Sequence, residues 1–303
     1  MKKLILVLFV ITTLNIVAKD ETDKLSVTII GSGSPIYNED RGGASVLITN
    51  GQDKILLDMG NGTQENLDKL NEDPRDLSAL LFTHHHLDHN EEFVPLLVRL
   101  LMGRNDFIVK GPIGTEELTE ANLELYKEDI GYRLKKTNRS LEDRRDALSV
   151  ENIVGGDTFK VGDIKISTLE VPHTIYTMAY RFDYLGDSVV ITGDLTYTDA
   201  LAPFAKDADF MIIDSGGMIM DKGGRRSKIV KKKSKSNGSS KERAHLNLDE
   251  SSKIAKDAGV KNLVYTHFTK GNIDEKASLE IIKKNYSGNV IFGEDLMTLN
   301  IPE

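Results

Sequence analysis

The sequence predicts a layered α/β protein in which one sheet packs on another and helices lie outside. Strand-like and helix-like segments interleave in two batches, with a long helical stretch between them. Several short apolar runs end on a histidine or an aspartate, which puts polar groups where buried strands emerge, the rim on which α/β sheets build sites. With 303 residues, 39% of them apolar and 28% charged, the chain has ample material for one large core and excludes a wholly disordered class.

Taken in order, "LSVTIIGSGSP" alternates and runs into a glycine turn, and "ASVLITN" and "KILLDMGNGT" follow as two more short strands. "ENLDKLNEDPRD" predicts a helix stopped by Pro74. "LSALLFT" is a short apolar run of the kind buried on both faces, and "EEFVPLLVRLLMG" continues as a helix beginning near Asn90. Pro95 sits early in that helix, where its missing amide costs least. Residues 112–147 read as largely helical. Strands return in "DTFKVGDIKISTLEV", "YTMAYRFDYLGDSVVITGD" and "ADFMIID". A helix in "LDESSKIAKDAG", a strand in "NLVYTHF", a helix in "EKASLEIIKKNY" and a last strand in "NVIFGED" complete one domain, spanning 25–303.

Residues 1–18 carry Lys2 and Lys3, then an apolar run, then Ala18 before a charged segment. That is the order of an export signal cleaved after Ala18, which predicts a periplasmic or extracellular protein with no membrane span once cleaved; an uncleaved anchor is the rival. There is no cysteine, so no disulfide can form. The formal charge of −8 is unevenly spread, because residues 222–243 carry ten Lys or Arg and one Glu. This Ser- and Gly-rich segment predicts a basic surface loop able to contact polyanions.

The densest chemistry lies in "LFTHHHLDHNEE", which holds four of the seven histidines. His84 and His86 alternate along an extended segment, so both can point at one metal ion. Asp88 and His89 lie past a bend and suit a second ion. Imidazole and carboxylate without thiolate favour zinc, or manganese or iron, over calcium. His85 is left over as a spacer. His173 in "EVPHT", Asp194 in "VVITGD" and His267 in "LVYTH" each follow a strand.

In order, "IIGSGSP", "LLDMGNG", "THHHLDH", "VPHT", "TGDL" and "VYTHF" resemble the metallo-β-lactamase fold superfamily, in particular its ribonuclease Z, arylsulfatase and phosphodiesterase branch. The similarity covers about residues 25–299 and implies a four-layer αββα sandwich. As a dinucleotide loop "GSGSPI" is weak, since Ile36 stands at the third glycine position. The resemblance implies that His84, His86 and His173 hold one Zn²⁺ and Asp88, His89 and His267 another, with Asp194 between them. Two such ions would supply hydroxide near neutral pH for attack on an ester. It further implies that Asp58 orients a metal-bound histidine from behind, that Asp88 orients the attacking oxygen or takes its proton, and that His245 stabilises the reacting anion and protonates the leaving oxygen. Asp214 in "MIIDSGG" falls where ribonuclease Z has a glutamate, and would hold His245 protonated.

The chain also departs from ribonuclease Z. Only twenty residues separate His173 from Asp194, enough for two strands and a turn, so the arm that grips transfer RNA is absent, and Ser215 and Gly216 replace an Ala-Thr pair. The expectation is an exported, two-zinc hydrolase acting on a small anionic ester or nucleotide-type phosphodiester. Arylsulfatase, lactonase and β-lactamase activities on the same metal site are the alternatives, and a noncatalytic polyanion-binding protein is the other class. Relatives often form dimers, for which edge strands or residues 112–147 would serve.

Overall fold

The computed structural model describes residues 24–103, 106–214, 216–220, 243–269 and 271–301. The expected export signal, Ser215 and all of the basic segment except Arg243 lie outside the described residues. Two seven-stranded sheets face one another. The first is built from β1 (Ser26–Gly31), β2 (Ser45–Thr49), β3 (Lys54–Leu57), β4 (Ala79–Leu81), β5 (Phe107–Gly111) and β6 (Leu148–Asn152), with β14 (Met297–Asn300) returning to pair beside β1. The second runs β7 (Thr158–Val161), β8 (Ile164–Val171), β9 (Thr177–Tyr184), β10 (Asp187–Ile191), β11 (Phe210–Asp214), β12 (Asn262–Thr266) and β13 (Asn289–Phe292) in spatial order. Each sheet is antiparallel on one side and parallel on the other: β3 to β6 run parallel, as do β10 to β13.

The strand periodicity explains the layering. Val27, Ile29, Ile48, Ile55, Leu57 and Leu81 point into the space between the sheets and meet Tyr180, Phe182, Val189, Ile191, Phe210 and Ile212. Their neighbours in sequence point the other way. Ile30, Leu47, Leu56 and Leu80 pack under α2 (Phe93–Met102), α3 (Thr115–Leu125) and α4 (Lys127–Lys135), with α1 (Thr63–Lys69) beside them and α5 (Leu141–Ala147) completing the helical stretch. Val190, Met211, Ile213 and Leu263 pack under α6 (Leu201–Phe204), α7 (Leu248–Ala258) and α8 (Glu275–Ile282). The result is the four-layer αββα sandwich.

Two points differ from the sequence reading. Pro74 does not stop α1, which ends at Lys69; Asn71 then takes a left-handed turn (φ 59°), and Pro74 opens a separate single turn. β6 and β14 form two edge strands that the pattern did not reveal. Both alternate between covered and exposed positions but carry only two apolar residues each, too brief a pattern to stand out in sequence. Pro95 lies in the first turn of α2, as expected.

Candidate metal centre

Strand direction gathers the site at one edge of the sandwich. Asp58 directly follows β3, His84 comes three residues after β4, and Asp194 and His267 follow β10 and β12. β8 runs in the same direction as β10 because two antiparallel pairings separate them, so His173 emerges at that edge too. After His84 the chain stays extended through His86 (φ −67°, ψ 146°), then closes into a single 3₁₀ turn, Leu87–His89. This bend carries Asp88 and His89 away from the preceding pair.

A network behind the rings fixes which nitrogen faces inward. The Asp58 carboxylate, 5% exposed, accepts hydrogen bonds from the Thr83 amide (2.8 Å), the Thr83 hydroxyl (2.7 Å) and His89 Nδ1 (2.8 Å). Having given its proton to Asp58, the Thr83 hydroxyl accepts from His84 Nδ1 at 2.9 Å. His173 Nδ1 donates to the Ala244 carbonyl at 2.9 Å. In all three rings the proton is held on Nδ1, so Nε2 presents a lone pair. Asp58 itself has a left-handed backbone (φ 60°), as has His267 (φ 60°), an uncommon conformation for residues with side chains and one that clusters at functional sites.

Those inward atoms form two groups. His84 Nε2 lies 3.0 Å from His86 Nδ1, which is 3.3 Å from His173 Nε2, while His86 Nε2 turns outward to Thr174 Oγ1 at 3.2 Å. Asp88 Oδ2 lies 3.2 Å from His267 Nε2 and 3.5 Å from His89 Nε2. Asp194 Oδ2 faces both groups, at 3.8 Å from His173, 3.7 Å from His89 and 3.5 Å from His267. His84, His86, His173 and Asp194 each offer a ligand atom within 4.8 Å of the others, and so do Asp88, His89 and His267. His89 Nε2 is buried with no hydrogen-bond partner. An orphaned lone pair ringed by carboxylate oxygens at distances too long for hydrogen bonds is what a cation of about 2 Å bond length would satisfy. The residues therefore fit a divalent metal, and the absence of thiolate keeps the donor set to nitrogen and oxygen.

The electrostatics agree. Burial, then the neighbouring His89, pushes His84 well below the ordinary histidine range, so it stays a neutral ligand. Burial opposes charge on His89 as well, but the carboxylates of Asp58 and Asp194 prevail and hold its pKa well above the ordinary value; the site attracts positive charge to that position. Burial would likewise raise Asp194, yet His267 and His89 keep it well below the usual carboxylate range. A metal ion would take over the role those protons play.

At the mouth of the centre, His245 lies with its ring centroid 5.5 Å from that of His267 and 5.8 Å from that of His173. Its Nδ1 is 3.3 Å from Asp214 Oδ2. Burial lowers its pKa, but the hydrogen bond and charge of Asp214 outweigh burial and leave it raised. Asp214 also accepts from the amides of Leu195 (3.0 Å) and Gly216 (2.8 Å), so it ties the Asp194 loop to His245. Two glycines are required by close approach. Gly193 has φ 60° and would press a Cβ onto Thr83, and a Cβ at Gly216 would collide with the Leu246 carbonyl and the His245 side chain. His85, the spacer, packs against Phe82 and bonds Thr115 Oγ1 at 2.9 Å. Thr83, Thr174 and the Ala244 carbonyl were not singled out from the sequence; only the threonine opening "THHHLDH" offers a hint.

Two facing sheets, with imidazoles and carboxylates converging at their shared edge, frame a candidate metal centre, and together with the relatives that follow they make the chain a metal-dependent hydrolase. The chain belongs to the β-lactamase superfamily: the model of the β-lactamase superfamily domain matches residues 53–268. Ribonuclease Z of Mycobacterium bovis (strain BCG / Pasteur 1173P2) is 27% identical over 288 residues, covering 91% of this chain and 98% of its own. Ribonuclease Z of Methanosarcina acetivorans is 26% identical over 330 residues, covering 92% and 98%. The metallo-β-lactamase fold protein YhfI of Bacillus subtilis superposes with a TM-score of 0.69 at 20% identity, covering 92% of this chain and all of that one. The short form of human tRNase Z gives 0.67 at 20% identity, with the same coverage.

Proposed function

We propose that the chain is an exported hydrolase with two Zn²⁺ ions that cleaves a phosphodiester or related anionic ester. The observation that carries this reading is the position of Asp194 Oδ2, within 3.5 to 3.8 Å of His89, His173 and His267, so that one carboxylate oxygen faces both donor groups. His84, His86 and His173 would hold one ion and Asp88, His89 and His267 the other, with Asp194 shared. Two such ions, when bound, polarise an ester and lower the pKa of water. The protein's own groups do the rest. Asp88 would orient the attacking water and take its proton. His245, kept protonated by Asp214, gives a proton to the departing oxygen as the ester bond breaks.

Ribonuclease Z relatives matched along nearly their whole length support phosphodiester chemistry. The segment between His173 and Asp194 is occupied by β9 and β10, joined through Leu185 and Gly186, which supports a substrate smaller than transfer RNA. The order of charge, apolar run and Ala18 supports export. Among the described residues no helix is long and apolar enough to cross a membrane.

The test is turnover of bis-aryl phosphate, aryl sulfate, lactone and β-lactam panels by the zinc-loaded protein, combined with elemental analysis. The expected result is two ions per chain, a preference for the phosphodiester, and activity that disappears with chelation and returns with metal. Mass measurement of the secreted product tests cleavage after Ala18. A folded sample that retains no metal would end the proposal.

A further inference from the structure

A pocket of about 550 Å³ opens beside the candidate metal centre, on the side of His245 and His267. Its walls come from the loop after β1, the segment after β11, the stretch leading into α7 and the segment after β12. Apolar side chains dominate the described lining: Pro35, Ile36, Met218, Met220, Leu246 and Phe268. The lining contains one Lys or Arg among the described residues, Arg243, and it is engaged elsewhere. Its Nη1 and Nη2 donate to the two Glu250 oxygens at 3.0 and 2.7 Å. Glu250 is in turn fixed at the start of α7, where it accepts from the Asn247 amide at 3.0 Å while its own amide donates to Asn247 Oδ1 at 2.9 Å. Arg243 is thereby neutralised and held by a helix cap.

This has a chemical consequence for what can lie next to the reacting ester. A nucleic acid chain carries a further phosphate on each side of the one being cleaved, and proteins that seat such chains meet those phosphates with free Lys, Arg or amide donors. The described wall has no free Lys or Arg, and beside the polar Ser34, Asn247 and Thr269 its larger part is two thioethers and several hydrocarbon faces, which adapt to a flat apolar group. We propose that this pocket seats the leaving alcohol of the substrate, and that this alcohol is an uncharged, flat, apolar group of aryl size. The inference rests on the hydrolase reading above and names its substrate class. In the step, the oxygen of water forms the new bond to phosphorus and gives its proton to Asp88. The bond from phosphorus to the leaving oxygen breaks with its electrons on that oxygen, which takes a proton from the ring nitrogen of His245 that does not face Asp214. The alcohol carried by that oxygen then lies in the pocket that His245 borders.

Competition calorimetry with the full chain separates the pocket from the chemistry. Phenylphosphonate and methylphosphonate present the same anion to the centre and differ only in the group the pocket would hold. Phenylphosphonate is expected to bind about 10- to 100-fold more tightly. Ile36→Asp, at a loop position 38% exposed, and Met218→Asp should each reduce that advantage by about tenfold and leave methylphosphonate binding unchanged. If Met218→Asp melts early, Ile36→Asp alone decides. Equal binding of the two phosphonates, or variants that weaken both alike, would overturn the inference. So would tighter binding of the dinucleotide pTpT than of phenylphosphonate, which would assign the pocket to a nucleic acid chain. Should no ester be turned over while the phenyl preference and its loss are still measured, the hydrolase reading fails, the leaving-group role falls with it, and only the pocket's preference for a flat apolar group stands.

Discussion

Asp58→Asn tests the organisation of the metal centre without touching a residue proposed to bind metal. The carboxylate receives three donors: the Thr83 amide, the Thr83 hydroxyl and His89 Nδ1. An asparagine keeps one acceptor oxygen, so whichever way it is turned its NH₂ faces a donor. The Thr83 hydroxyl can rotate, but His89 Nδ1 can change role only by moving its proton to Nε2, which removes the inward lone pair. Losing a hydrogen bond to a charged group is worth about 1.5–3 kcal/mol. Partners of this kind behind a ligating histidine typically change metal affinity by about 10–100-fold, which corresponds to about 1.4–2.8 kcal/mol, so the two scales agree. The assay is competition for zinc against a chromophoric chelator, with the thermal melt of the metal-free protein recorded separately. The expected result is weaker binding, most of all of the ion assigned to His89. A folded variant that binds both ions within twofold of the parent would refute the network's role.

His245→Asn should lower turnover about 10²–10⁴-fold, the usual range for loss of a general acid, while metal content stays the same by elemental analysis. Tyr180→Phe should cost about 1–3 kcal/mol in urea denaturation, because the buried hydroxyl that donates to the Phe82 carbonyl at 2.7 Å disappears and leaves that carbonyl unpaired. If the basic segment at 222–243 guides substrate, activity on an anionic ester should fall as salt rises while a small neutral ester is unaffected; equal responses would exclude guidance. Light scattering should report a dimer, with Leu125→Asp or Tyr132→Asp shifting it to monomer, since these side chains on α3 and α4 are 74% and 62% exposed.

Much of the architecture was readable because the central strands carry apolar residues on both faces. Val27 and Ile29 on one face with Ile30 on the other, or Phe210 and Ile212 against Met211 and Ile213, specify a strand covered on both sides, and two batches of such strands specify two sheets. The histidine segment was equally explicit, because so many imidazoles at that spacing have few other uses. What the pattern hid is what depends on context. Thr83, Thr174 and the Ala244 carbonyl are ordinary groups that acquire a role only through what faces them. The two edge strands carry little apolar surface to betray them. Asp295 is another case. It closes the segment read as the last strand, yet it receives the Ser32 amide and hydroxyl, the Gly42 amide and the Asn66 side chain at 2.6 to 3.0 Å, pinning the loop after β1 to α1.

The pairing of β14 with β1 joins Ser26 to Asn300 and Thr28 to Thr298, positions nearly the whole length of the polypeptide apart. During synthesis β1 therefore waits uncovered on one side until β14 (Met297–Asn300) leaves the ribosome, and Asp295 arrives just before it. The candidate ligands, spread from His84 to His267, likewise cannot be assembled before His267 has been made. A nascent chain of this design cannot complete the candidate metal centre until residues from both sheets, the second reaching to His267, have been made.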